Sequence, residues 1–136
     1  MAKTVLVVDD VAFVRQTISK ILTDAHYVVV AEAADGVSAI ELYRKHAPDI
    51  VTMDIVMPQM SGIEATKKIS KMDKNAKIII VSAMGQGSLV MEAINVGAKD
   101  YILKPFKAED LLRTIAHVLA NAEKAGTSRK SQKAAI

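Results

Sequence analysis

Five short apolar runs alternate along the chain with segments in which apolar residues recur at helical spacing. Each run is nearly continuous and rich in Val and Ile, which is typical of strands that are buried on both faces of a sheet. The pattern predicts strands at residues 5–8, 28–31, 50–53, 78–81 and 101–103. Because each pair of parallel strands needs a crossover connection, the alternation predicts an α/β domain with a parallel sheet.

The segments between the runs carry apolar stripes with a period of 3.6 residues, as amphipathic helices do. The stripes consist of Val14, Ile18, Ile21 and Leu22; of Ala65, Ile69 and Met72; and of Leu111, Leu112, Ile115, Val118 and Leu119. Residues 37–45 and 89–96 are predicted to be helical by the same pattern. Ser61 and Glu64 have the spacing of a capping box at a helix start, and Gly97 suits the position just after a helix end.

The composition describes one domain of ordinary size. The chain has 136 residues, of which 51% are hydrophobic and 24% charged, and it contains no cysteine. No apolar run approaches the roughly 20 residues of a membrane span, and residues 1–10 lack the pattern of a secretory signal. Without cysteine there is neither a disulfide framework nor a thiolate site. We therefore expect a cytoplasmic monomer without a membrane partner.

The formal net charge of +3 arises at the end of the chain. Arg129, Lys130 and Lys133 lie among the last eleven residues, where no acidic residue occurs, and the other 15 basic residues equal the 15 acidic ones. This polar, basic segment has no apolar stripe, which predicts a domain over residues 1–124 and a flexible basic tail over 125–136. Five lysines between residues 67 and 77 have no interleaved aromatic residue. We interpret them as a solvated helix face and expect no nucleic-acid partner.

Residues with chemical function stand at the ends of four of the five runs. Asp9 and Asp10 follow the first run, Asp54 the third, Ser82 the fourth and Lys104 the fifth. Ligand sites in an open parallel sheet lie outside the carboxyl ends of its strands. We therefore expect these side chains to meet at one edge of the sheet.

Three carboxylates at one edge repel each other and require a cation. Mg²⁺ fits, because it prefers oxygen ligands, binds through one or two carboxylates and keeps waters that a phosphate can replace. The three histidines fall away from the strand ends, which disfavours zinc or copper. Lys104 and Ser82 beside Mg²⁺ form a clamp for a phosphoryl group. Since aspartate can form acyl phosphates, Asp54 is the natural acceptor and the Asp9–Asp10 pair holds the metal.

Other roles for the aspartates, and other classes of α/β protein, would require other residues in the sequence. Asp9 or Asp10 could simply cap the following helix. A phosphatase of the haloacid dehalogenase type needs a second Asp two residues after the nucleophile, where this chain has Val56. A dinucleotide-binding enzyme needs G-x-G-x-x-G after the first strand, where this chain has DDVAFV. A flavodoxin-like electron carrier needs aromatic residues around its flavin, and only 4% of residues are aromatic.

Four blocks of the chain carry a family resemblance. VLVVDD, DIVTMDIVMPQMSGIEA, IIIVSAMG and GAKDYILKPF, in this order, resemble the signature blocks of response-regulator receiver domains. The likeness covers roughly residues 3–122 and is greatest to the stand-alone chemotaxis regulators. It implies a doubly wound, flavodoxin-like (βα)5 sheet with strand order 2-1-3-4-5.

The resemblance also implies a role for each site residue. Asp9 and Asp10 match the family's metal-binding pair, the backbone carbonyl of Val56 matches a further metal ligand, and Asp54 matches the phosphoacceptor. Ser82 matches the hydroxyl that turns toward the phosphoryl group, and Tyr101 matches the aromatic residue that changes rotamer with it. Lys104 matches the phosphoryl-binding lysine, and Pro105 matches a proline that is usually cis. Val56 and Met84 are apolar where many chemotaxis regulators carry polar or acidic groups. This departure leaves the phosphoryl lifetime and any phosphatase partner open.

The function implied is that of a two-component response regulator. Its phosphodonor would be a histidine kinase of the chemotaxis type and its output partner the flagellar motor switch protein. It would not be an enzyme, apart from Mg²⁺-dependent self-phosphorylation and autodephosphorylation at Asp54. A phosphorelay intermediate, or a receiver from another two-component pathway, is the alternative.

Overall fold

The computed structural model describes the backbone of residues 2–135 and the side chains of residues 2–123. Its elements are β1 (Thr4–Val8), α1 (Ala12–Asp24), β2 (Val28–Ala33), α2 (Gly36–His46), β3 (Ile50–Met53), α3 (Gly62–Met72), β4 (Ile78–Ala83), α4 (Gly87–Asn95), β5 (Asp100–Lys104) and α5 (Ala108–Ala135). All five predicted strands are confirmed, with ends that differ by at most two residues. No helix in the described part of the chain combines the length and apolar character needed to cross a bilayer.

The five strands form one parallel sheet in the order β2-β1-β3-β4-β5. The predicted α/β class and the strand order that the resemblance implies are therefore confirmed. β1 and β3 are paired from Val5 opposite Ile50 to Val8 opposite Met53, so these two strands end at the same level. The residues that follow them emerge side by side at the carboxyl edge of the sheet.

Side chains of the central strands alternate between two buried layers. Leu6 and Val8 of β1 pack in the layer that includes residues of α2, α3 and α4, whereas Val5 and Val7 pack with residues of α1 and α5. Burying apolar side chains on both faces stabilises the sheet and leaves only its edges open to ligands. The helices on both faces make the fold doubly wound, as predicted.

The edge strands are less buried than the sequence pattern predicts. Val28 of β2 and Leu103 of β5 are exposed, and Tyr101 has 47% of its surface exposed. The prediction that each strand is buried on both faces is confirmed for β1, β3 and β4. It is wrong for β2 and β5, because each of these edge strands has a neighbouring strand on one side only. The α3 stripe also ends early, since Met72 is exposed.

Helix ends follow the predicted signals where these exist. The Ser61 hydroxyl accepts a hydrogen bond from the Glu64 backbone N–H at 3.2 Å and so caps α3. Gly97 has φ +133° directly after Val96, the C-cap of α4, and a Cβ there would lie 2.1 Å from the Ser70 hydroxyl oxygen. The bounds of α5 include most of the segment predicted to be a tail. The side chains of residues 124–136 lie outside the described ones, and flexibility of this tail stays a prediction.

Candidate functional site

The ends of β1 and β3 place the two buried carboxylates of the site. The Asp9 backbone N–H donates to the Ala33 carbonyl oxygen, and the Asp54 backbone N–H donates to the Val8 carbonyl oxygen, each at 3.0 Å. Asp9 and Asp54 are buried, while Asp10 is exposed. The sheet register therefore turns Asp9 and Asp54 inward and leaves Asp10 at the mouth of the site.

One carboxylate oxygen from each of Asp9, Asp10 and Asp54 lies within 4.8 Å of the other two. Three oxygen donors this close together, two of them on buried residues, are suited to a hard divalent cation such as Mg²⁺. They include no sulfur ligand of the kind that a thiophilic metal prefers. One Asp9 oxygen also accepts a hydrogen bond from the Val11 backbone N–H at 2.9 Å, which holds the turn into α1 but does not cap that helix, whose N-cap is Val11.

Lys104 supplies a positive charge between the two buried carboxylates. Its Nζ donates to Asp9 Oδ2 at 2.9 Å and lies 3.7 Å from Asp54 Oδ1. The Lys104–Pro105 peptide bond is cis, the isomer that the resemblance implies. Although Lys104 is 95 residues away from Asp9 in sequence, the order β1-β3-β4-β5 brings the two to the same edge.

The pKa of Asp54 is raised to about 6, mainly by burial and also by the negative charge of Asp9. Lys104 and the Ile55 backbone N–H, which donates to Asp54 Oδ1 at 2.8 Å, act in the opposite direction. Asp54 is therefore a carboxylate whose negative charge is costly in its present surroundings. A bound cation would lower that cost.

Ser82 lies at the end of β4 and is fully buried. Its hydroxyl donates to Gln86 Oε1 at 2.5 Å and lies 3.2 Å from the Ala83 carbonyl oxygen. The hydroxyl is thus at the edge where the sequence places it, but its hydrogen-bond acceptors are Gln86 Oε1 and, at the longer distance, the Ala83 carbonyl oxygen. Gln86 was not among the predicted site residues; its position three residues before the predicted helical segment 89–96 was the available signal. Tyr101, on the neighbouring strand, is half-exposed.

Arg15 of α1 is a second residue that sequence reasoning missed. Its Nη1 donates to the Asp9 carbonyl oxygen at 2.6 Å, and its Nε lies 3.3 Å from Glu32 Oε1 at the end of β2. Arg15 therefore ties the loop that carries the acidic pair to the neighbouring strand. A single arginine in an amphipathic helix gives no sequence signal for such a contact.

Several apolar side chains are exposed on the segments that follow β1, β3 and β4, in the first turn of α1 and in the loops. Phe13 is 74% exposed, Met84 72% and Val56 59%, and Val11 is exposed beside Phe13. Val56 and Met84 place an apolar side chain two positions after Asp54 and two positions after Ser82. The Val56 carbonyl as a metal ligand stays a prediction.

A model of the response regulator receiver domain matches residues 5–116 of the chain. The chain is 52% identical over 119 residues to the chemotaxis protein CheY of Bacillus subtilis, covering 88% of this chain and 99% of that protein. It is also 52% identical over 118 residues to CheY of Thermotoga maritima, covering 87% and 98%.

Solved structures agree with these relatives. The crystal structure of a CheX–CheY–BeF3–Mg²⁺ complex from Borrelia burgdorferi superposes with a TM-score of 0.82 at 38% identity, covering 85% of this chain and 88% of that one. A CheY-like receiver domain protein from Methanospirillum hungatei gives a TM-score of 0.86 at 29% identity, covering 92% and 99%.

Proposed function

The chain belongs to the response regulator receiver domain family and is CheY-like over most of its length, and from this premise we propose that it is switched by phosphorylation of Asp54. A histidine kinase supplies the phosphoryl group in the presence of Mg²⁺. Phosphorylation then changes the affinity of the chain for an output protein. Beyond this self-phosphorylation and autodephosphorylation the chain is not an enzyme, and it acts in the cytoplasm.

The observation that carries the proposal is the convergence of three carboxylates and one ammonium from three strand ends. Asp9, Asp10 and Asp54 present oxygens within 4.8 Å of one another, and Lys104 lies between the two buried ones. A purely structural role would explain one carboxylate that accepts a turn hydrogen bond or pairs with a lysine. It does not explain a third carboxylate at a site that already carries excess negative charge. A cation and an anionic group that arrive together balance that charge.

The acidic residues fit Mg²⁺, which would be held by Asp9, Asp10, Asp54 and, by family resemblance, the carbonyl of Val56. When bound, Mg²⁺ supplies charge neutralisation for the phosphoryl oxygens. The CheY of the Borrelia burgdorferi complex, crystallised with BeF3 and Mg²⁺, supports this assignment.

Each side chain of the site has its own role in phosphorylation and in the change that follows it. A carboxylate oxygen of Asp54 attacks phosphorus as the bond from phosphorus to the donor's nitrogen breaks, and the nearby positive charge of Lys104 favours the ionised form of that carboxylate. Lys104, already 3.7 Å from Asp54, pairs with a phosphoryl oxygen. The Ser82 hydroxyl turns toward a second phosphoryl oxygen. The half-exposed Tyr101 moves into the space that Ser82 leaves, which alters the surface formed by α4, β5 and α5.

The kinase is of the chemotaxis type and the output partner is the flagellar motor switch protein, as the relatives named chemotaxis protein CheY suggest. CheX in the Borrelia complex supports a further protein partner, such as a phosphatase. A phosphorelay intermediate has the same site, and it is distinguished by transfer of the phosphoryl group from Asp54 to a histidine of a third protein.

Labelling with a small phosphodonor tests the proposal. Wild type, Asp54→Asn and the control Asp24→Asn are incubated with radiolabelled acetyl phosphate, with and without a chelator. Asp24 serves as control because it is an exposed carboxylate paired with Lys20 on α1. We expect labelling of wild type and Asp24→Asn only, and only without chelator. Labelling of Asp54→Asn, or labelling that ignores the chelator, would refute the proposal.

A further inference from the structure

The hydroxyl of Ser82 is occupied by Gln86. A serine hydroxyl carries one hydrogen and can donate one hydrogen bond. In this structure the hydroxyl is fully buried and has its nearer acceptor in Gln86 Oε1 at 2.5 Å, with the Ala83 carbonyl oxygen farther away at 3.2 Å. It cannot donate to a phosphoryl oxygen on Asp54 at the same time. Activation of the site therefore requires this bond to break.

The orientation of the Gln86 carboxamide is set by a second donor. The Ala83 backbone N–H, which can only donate, lies 3.1 Å from the same Oε1 atom. The atom facing Ser82 and Ala83 is therefore the amide oxygen and not the amide nitrogen. A carbonyl oxygen has two lone pairs, so both hydrogen bonds can exist together.

Gln86 occupies the N-cap position of α4, but its side chain makes no capping bond to that helix. It reaches back to the end of β4 and closes the loop over Ala83, Met84 and Gly85, where Gly85 has φ +90°. The Gln86 side chain thus joins the N-cap of α4 to Ser82 near the end of β4.

We propose that Gln86 is a positioning residue that holds the Ser82 hydroxyl away from Asp54 and so opposes activation. This inference rests on the proposed function. When the phosphoryl group arrives, Ser82 exchanges the bond to Gln86 for one to a phosphoryl oxygen, and Gln86 keeps only the Ala83 N–H. The start of α4 is then less firmly tied to β4, which links the site to the surface that a partner reads.

The size of the effect follows from the net value of one hydrogen bond. Loss of the bond that competes with the phosphoryl group should raise the affinity for a phosphoryl mimic by about two- to tenfold. Partner binding by the unmodified protein should strengthen as well, because the partner and the phosphoryl mimic both select the state in which this bond is broken. Both effects require the Ser82 hydroxyl.

A double-mutant cycle isolates this role from a general loosening of the loop. Gln86→Met keeps the length of the side chain and removes the acceptor. Beryllofluoride with Mg²⁺ is titrated into wild type, Gln86→Met, Ser82→Ala and the double variant, and the Ala83 and Gln86 backbone amides are followed by NMR. Mg²⁺ affinity without beryllofluoride reports whether the acidic residues are undisturbed.

We expect Gln86→Met to bind beryllofluoride about two- to tenfold more tightly than wild type, with unchanged Mg²⁺ affinity. In the Ser82→Ala background the same substitution should have no effect. Gln86→Glu, which retains a stronger acceptor, should weaken beryllofluoride binding more with Ser82 present than with Ala at position 82.

An unchanged affinity in Gln86→Met, or an equal change in both backgrounds, would overturn the role of Gln86 while wild-type binding still supports the proposed function. If wild type itself does not bind beryllofluoride, the proposed function fails, and the role of Gln86 fails with it.

Discussion

Gly62 packs so closely on Asp54 that a Cβ built on Gly62 would lie 1.8 Å from the Asp54 carbonyl oxygen. The Gly62 N–H also donates to the Ile55 carbonyl oxygen at 2.7 Å. The first residue of α3 therefore rests directly on the backbone that carries the acceptor carboxylate, and its lack of a side chain is a steric requirement.

Gly62→Ala should lower the free energy of unfolding by about 1–3 kcal/mol, because backbone atoms of Asp54 must move to admit the methyl group. This loss exceeds the gain of up to about 1 kcal/mol that alanine brings to a helix. Gly87→Ala is the matched control, since nothing lies within 4 Å of a Cβ at this first residue of α4. Urea unfolding of both variants is the measurement; equal stabilities would contradict the steric account.

Asp10→Asn should weaken Mg²⁺ binding by at least about tenfold, since loss even of an indirect contact to a metal costs that much. Without Mg²⁺ the variant should be more stable than wild type, because repulsion among the three carboxylates is reduced. Unfolding with and without saturating Mg²⁺ measures both effects. Destabilisation in both conditions would show that Asp10 has a structural role instead.

The two bonds of Arg15 should contribute unequally to stability. Arg15→Met retains the apolar stem and removes the charged donor to the Asp9 carbonyl oxygen, which should cost about 1.5–3 kcal/mol. Glu32→Gln removes only the charge of a partly exposed partner and should cost less than about 1 kcal/mol. Urea unfolding compares the two variants with wild type. Equal losses would mean that the pair with Glu32 carries the whole effect.

Asp49 should give the protein part of its acid sensitivity. A hydrogen bond from the Thr4 backbone N–H at 2.8 Å lowers the pKa of Asp49, opposed by burial and supported by the Thr4 hydroxyl. Because the folded pKa lies below the unfolded one, this stabilisation is present above about pH 4 and is lost as the pH falls through the folded pKa.

Asp49→Asn should therefore be less stable than wild type at pH 7, by about 1 kcal/mol, and the difference should shrink in acid. Thermal unfolding between neutral and acidic pH measures this. Asp24→Asn, at an exposed carboxylate, is the control. A difference between Asp49→Asn and wild type that is constant with pH would contradict the assignment.

The sequence by itself determined the strands, the parallel α/β class and the residues at the edge of the sheet. These follow from local pattern and from one general property, since parallel strands connected by crossovers all end on the same side. Asp9, Asp54, Ser82 and Lys104 could therefore be grouped without knowledge of any contact.

Only the tertiary structure decided which partner each site residue binds, and the strand order came from the family resemblance and not from the apolar pattern. The exposure of Tyr101 and Leu103 depends on β5 being last in the sheet, a consequence of crossover directions that the apolar pattern of β5 does not contain. The contacts of Gln86 with Ser82 and of Arg15 with Asp9 depend on the paths of two loops and on side-chain rotamers. Such contacts join residues through space, and the residue types alone allow many other partners.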